Sequence, residues 1–212
     1  EAANLAYARY VEAVRVGTPG TDAMASNVEQ QFLRAVSLDE NNHRATYALS
    51  QLLRFQSDAA KRAGRASARV DGEIIRWLER TVSIAPKHTA ALSDLGADLI
   101  ARGDFARAET VLKRSVDAKA TGRGVYNLGL AELYSGKPIS ARKHLEAALR
   151  HTNEEGVSSG DIHYFLVYTY LAEGDTAGAK KFFDAAKAKI PELLHAEIEA
   201  RLTSSTSAGA GG

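Results

Sequence analysis

Six histidines, His43, His88, His144, His151, His163 and His195, are the side chains of this chain best suited to hold a metal or move a proton. No two of them stand four residues apart and no His-Glu-x-x-His run occurs, so the spacing offers no convergent zinc ligands. Ordinary structural roles are expected of all six; His163 stands out because it precedes an aromatic helix. Gly122-Arg123-Gly124 has the outline of a phosphate loop. With no strand before it and no Lys-Ser/Thr ending after it, a flexible turn between repeats is the simpler expectation. The Glu154-Glu155 pair lies in a polar loop and reads as solvated rather than as an acid–base couple. There is no cysteine, which excludes thiol nucleophiles, disulfides and cysteine zinc sites. The expectation is a chain that is not an enzyme and carries no metal and no cofactor.

Charge is concentrated in one place. Lys61, Arg62, Arg65 and Arg69 follow one another with no acid between them after Asp58. They form either a basic patch for phosphate or an acidic partner, or the solvated extension of two flanking helices. Whether Gln56–Val70 is helix or loop stays open at this level. The single tryptophan, Trp77, sits between Ile74 and Leu78 in an apolar helix and is expected to pack in the core or as a lid. A net charge of +1 gives no general attraction to nucleic acid, and no stretch approaches the apolar length of a membrane span. The start at Glu1, without Met or a signal sequence, reads as a mature form or a segment of a longer chain. Both a bacterial periplasmic and a cytoplasmic setting fit.

The elements that position these residues come from a repeat. Leu95-Gly96, Gly103-Asp104, Ala108 and Leu112 recur as Leu128-Gly129, Gly136, Ala141 and Leu145, and again as Leu166, Gly174-Asp175, Ala179 and Phe183. The turn glycine, the alanine and the large apolar residue advance together, by 33 residues and then by 38. A period near 34 residues of this kind specifies stacked helix–turn–helix units. Gly103, Gly136 and Gly174 stand where one helix must stop and reverse, and Asp104 and Asp175 stand where a side chain can cap the next. Gly96 and Gly129 let two helices approach closely, with Leu112 and Leu145 filling the space beside them.

This pattern resembles the tetratricopeptide repeat. Leu92, Leu95, Gly96, Leu99, Gly103, Ala108 and Leu112 carry the clearest copy, and Ile74, Leu78, Thr81, Val82 and Pro86 read as the second helix of an earlier one. The resemblance implies an all-α fold: a right-handed superhelical solenoid of about five antiparallel helix pairs with a C-terminal capping helix. The units are expected at about 2–42, 43–88, 89–121, 122–157 and 158–191, with the capping helix at 191–203 in one solenoid domain, 1–203. Residues 204–212 read as a flexible tail or linker. Insertions are expected at Gly17–Ala23, Gln56–Val70 and His151–Gly160, and Glu132 stands where the repeat has a large apolar residue.

In such a solenoid the first helix of each pair lines a concave groove. By the resemblance, that groove takes Arg44, Tyr47, Gln51 and Arg54 from the second unit and Ser93 from the third. Arg123, Tyr126 and Asn127 come from the fourth, and Tyr164 and Tyr168 from the fifth. The family's carboxylate clamp is missing, because Lys and Asn do not stand at the required places; tyrosine and arginine stand there instead. The expected function is a protein–protein interaction scaffold or adaptor that binds a peptide or helix of a partner in this Tyr/Arg groove. Two alternatives stay open: an accessory segment of a larger bacterial envelope or polysaccharide-assembly enzyme or membrane protein, and a self-assembling homo-oligomeric scaffold.

Overall fold

The structure is a computed structural model that describes residues 2–18, 20–62, 64, 68–152 and 157–209, with the side chains of all of these except 68, 69 and 205–209. Among the described residues there are eleven α-helices and no strand. They are α1 (Ala2–Arg15), α2 (Thr21–Leu38), α3 (His43–Arg62), α4 (Ala68–Ile84), α5 (Thr89–Ala101) and α6 (Phe105–Ala118). After these come α7 (Gly122–Tyr134), α8 (Pro138–Ala148), α9 (Ser159–Ala172), α10 (Thr176–Ala186) and α11 (His195–Gly209). The chain forms two compact units, Glu1–Ala91 and Leu92–Gly212.

In the first unit α1 packs on α2, α2 on α3 and α3 on α4. Tyr10, Val28, Phe32, Leu49 and Leu52 form its core, and Trp77 packs against them from α4. The buried Thr46 and Thr81 hydroxyls satisfy one another at 2.9 Å, so two small polar residues hold α3 close to α4 without leaving an orphaned group. The insertion after Gln56 is largely helix: α3 runs on to Arg62 and α4 starts at Ala68. Doubling back brings Asp71 to Ser57 Oγ at 2.8 Å and to Lys61 Nζ at 3.3 Å. Lys61 therefore pairs with an acid ten residues on, supplied by the next helix. Arg62 is exposed on the last turn of α3; Arg65 and the Arg69 side chain lie outside the described residues.

The second unit repeats one turn three times. Gly103, Gly136 and Gly174 have φ of 78°, 74° and 77°, a region that costs a residue with a Cβ. The amide of the residue after each glycine donates five residues back, Asp104 to Leu99, Lys137 to Glu132 and Asp175 to Tyr170, which closes the helix in the same way each time. Asp104 and Asp175 then accept from the amides of Arg107 and Gly178 and start α6 and α10. Leu112 and Leu145 are fully buried beside Gly96 and Gly129. In the insertion before α9, Val157 enters the core formed by Val125, Leu145 and Ile162, and Ser158 caps α9 through the Asp161 amide. Glu154-Glu155 lies outside the described residues.

Two expectations are corrected. Gly122-Arg123-Gly124 is not a flexible turn but the first turn of α7, capped by the Thr121 hydroxyl through the Gly124 amide at 3.2 Å. The Ser/Ala stretch after Leu202 is not a loose tail from its start, because α11 continues to Gly209. Extending a helix already docked through Ile198 and Leu202 adds one bond for each residue fixed, with no new nucleation.

Besides Asp94, two carboxylates are buried in this unit. Glu109 receives Lys113 and Lys137, with Lys137 Nζ at 2.8 and 2.9 Å from its two oxygens. Those ammonium groups hold its carboxyl below the ordinary glutamate range. Glu132, the departure from the repeat, is 1% exposed and accepts from Ser140 Oγ at 2.9 Å and His144 Nδ1 at 2.6 Å. The bond to Glu132 raises the His144 pKa, against the opposing effect of burial. A raised folded-state pKa stabilises fully below the unfolded value near 6.5 and loses that contribution as pH climbs through the folded value. Stability is therefore expected to fall from slightly acid to alkaline pH, and His144→Leu is expected to flatten that limb in urea titrations across the range.

Candidate partner-binding face

The first helices of the pairs carry the residues of interest. In the first unit, Arg44 is exposed on α3, and Tyr47, Gln51 and Arg54 are half-buried on the same helix. Tyr47 rests against His88 with ring centroids 4.7 Å apart, and His43 meets His88 at 5.8 Å. These two histidines come together in space although they are far apart in sequence. Among the described residues no group of three or more His, Cys, Asp or Glu could hold a metal.

In the second unit the position rule fails at Ser93. It is 4% exposed and its hydroxyl bonds Ser115 Oγ at 2.8 Å, so it belongs to the helix–helix contact and not to a binding surface. The cause is Gly124, which brings the start of α7 down onto Ser93 and Ser115. Asn127 is likewise largely buried, and its Nδ2 has no partner among the described residues. Arg123 is about half exposed and pairs at 2.8 Å with Asp94, which is buried.

The tyrosines do come together. Tyr126, Tyr164 and Tyr168 are half-buried, and Phe165 links them. Its ring meets Tyr126 at 6.2 Å, Tyr134 at 6.4 Å and Tyr164 at 5.0 Å, each edge to face. Tyr164 meets Tyr168 at 4.8 Å, and Tyr134 stacks on Phe105 at 5.1 Å. Such contacts are worth about 0.5–1.5 kcal/mol each beyond area burial. The closing helix completes the row: Glu197 Oε1 accepts from Tyr168 at 2.6 Å and from Tyr164 at 3.1 Å. Those two bonds hold the Glu197 carboxyl below its ordinary range. Burial, then the bond to Glu197, raises the Tyr168 hydroxyl; burial, then the charge of Asp161, raises Tyr126. Both phenols therefore stay neutral and offer apolar surface, and Tyr168 also donates to Glu197.

Between α7, α9 and α11 this leaves a cleft of about 520 Å³ lined by Tyr134, Tyr164, Phe165, Tyr168, Glu197 and Arg201, among others. Two of these six, Tyr164 and Tyr168, are among the groove residues expected from the sequence. Glu197 and Arg201 stand four apart beside the apolar Leu194, Ile198 and Leu202, on the helix expected only to cap the stack. A larger hollow of about 670 Å³ between α10 and α11 is mainly apolar and has no comparable convergence of donors. His163 is buried, bonds the Ser159 carbonyl at 2.6 Å and stacks on Phe182 at 6.1 Å, which is a structural role. None of the helices, over the described residues, is long and apolar enough to cross a membrane.

No family model matches the chain, and no curated protein matches it in sequence. Solved structures do. MamA from Desulfovibrio magneticus RS-1, residues 41 to the end, is 18% identical with a TM-score of 0.64, over 88% of this chain and 93% of that one. YrrB, described as a tetratricopeptide-repeat protein with an unusual peptide-binding site, is 13% identical at 0.63 over 84% of each chain. PilW, described as a widely conserved type IV pilus biogenesis factor, is 14% identical at 0.66 over 99% and 90%. The fold is that of the tetratricopeptide repeat.

Proposed function

We propose that this chain is a non-enzymatic interaction scaffold and that its second unit holds a segment of a partner protein along α7, α9 and α11. The observation that carries this reading is the half-exposed aromatic row Tyr126–Phe165–Tyr164–Tyr168, edged by Arg123 and Glu197. Rigid aromatic side chains offer large contact area at low entropic cost, and Tyr and Arg recur among the residues that dominate interface energies. A fold shared with a protein described as having a peptide-binding site supports a peptide or helix as the occupant. The α3 strip of Arg44, Tyr47, Gln51 and Arg54 is a second surface of this kind in the first unit.

An affinity on the order of 1 μM, about −8 kcal/mol, is expected. A random-peptide display selection against the whole chain tests the reading. Selected peptides should bind the wild-type protein and lose at least about tenfold in affinity to a Tyr126→Ala/Tyr164→Ala variant that remains helical by circular dichroism. Unchanged affinity in that variant would contradict it.

A further inference from the structure

We propose that the cleft between α7, α9 and α11 receives a lysine or arginine side chain of the bound segment, with Glu197 as its counter-ion and the rings of Tyr134, Tyr164, Phe165 and Tyr168 as its walls. This rests on the reading above and assigns the chemistry of the occupant. The walls fit a cation because aromatic faces carry negative charge density, which attracts ammonium and guanidinium groups. The rings do not lie parallel: Phe165 stands at 82° to Tyr164 and 78° to Tyr134, and Tyr168 is tilted 42° from Tyr164. They therefore present faces and edges from several directions to one volume, which accommodates a compact cationic head on an apolar stem.

Charge points the same way. The cleft holds one carboxylate, Glu197, which makes no direct ion pair among the described residues, while the charge of Arg201, four residues on, reaches it from farther off. Glu197 is oriented by both tyrosine hydroxyls through a single oxygen, Oε1. Its second oxygen has no bond among the described residues and is available to a charge-assisted donor. The opposing cation is Arg201, which lines the same cleft. Arg123, the other guanidinium of the face, is committed to the buried Asp94 at 2.8 Å. An acidic occupant would have Arg201 alone for a partner and would meet Glu197 and the ring faces as repulsion.

The two lining charges of opposite sign give a signed test. Random peptides are selected on phage against the whole chain and the recovered sequences synthesised for calorimetry. The expected result is enrichment of Lys and Arg over the unselected library, with affinity falling about tenfold for Glu197→Gln and for a peptide whose basic residue is replaced by Gln. Arg201→Gln, which removes the opposing charge from the cleft, should raise affinity, and binding should weaken as ionic strength rises. Glu197 and Arg201 are both exposed, so neither change empties the core. Peptides rich in Asp and Glu that weaken with Arg201→Gln would overturn the inference while leaving the scaffold reading intact. So would apolar peptides indifferent to Glu197→Gln and to salt. Selected peptides that bind the Tyr126→Ala/Tyr164→Ala variant as well as wild type would overturn both.

Discussion

Gly96→Val is expected to destabilise the chain by about 1–3 kcal/mol, read as a shift in the urea midpoint at unchanged slope. A Cβ at Gly96 would run into the branched end of Leu112, and at Gly129 it would stand 2.8 Å from Leu145 Cγ and 3.3 Å from the Ala141 carbonyl. Leu112 is fully buried and cannot swing aside into solvent. Leu112→Ala alone removes packing and opens a cavity, at about 2–5 kcal/mol. The two changes are not independent, because the space vacated by Leu112 is the space the new side chain needs. The double variant Gly96→Val/Leu112→Ala is therefore expected to lose less than the two single losses added together, with a coupling of about 0.5–3 kcal/mol. Strict additivity would mean that the close approach of α5 to α6 is not what requires glycine at this place in the repeat.

His144→Leu is expected to cost about 3 kcal/mol at pH 6, because it leaves the Glu132 carboxylate buried with only Ser140 to bond it. Removing both members together should behave differently. The Glu132→Leu/His144→Leu variant restores the large apolar residue that the repeat pattern has at this place, and replacing a buried pair by packed apolar side chains is often neutral or stabilising. The double variant is expected to be at least as stable as wild type in urea denaturation. If it were as unstable as His144→Leu, the Glu132–His144 pair would be contributing something beyond its own mutual satisfaction.

Much of the fold was legible because its signals are local and physical. Glycine at 103, 136 and 174 reports a positive φ that few other residues tolerate, and an aspartate after two of these glycines reports a helix start. Gly96 and Gly129 report a close approach because their partners, Leu112 and Leu145, advance with them. The insertion after Gln56 was not legible, since an extended helix and a polar loop have the same composition; the pairing of Lys61 with Asp71 depends on the chain turning back.

The site was legible only in part. A position rule finds which helix faces a groove but not how far a neighbouring glycine draws one helix onto another, and so it assigned Ser93 to a surface when Gly124 buries it against Ser115. It found Tyr126, Tyr164 and Tyr168 but missed Tyr134 and Phe165, which stand beside those positions and join them. Glu197 is not legible because the apolar stripe of the closing helix says nothing of what its polar face meets. Its role depends on the docking of α11, through Ile198 and Leu202, that sets the carboxylate beside two hydroxyls.

The most direct test of a binding face on the second unit is a nuclear magnetic resonance titration of the labelled chain with a display-selected peptide. The shifted resonances are expected to belong to Tyr126, Tyr164, Tyr168 and Glu197, on α7, α9 and α11. Shifts confined to α6, α8 and α10, with those four residues unmoved, would contradict it.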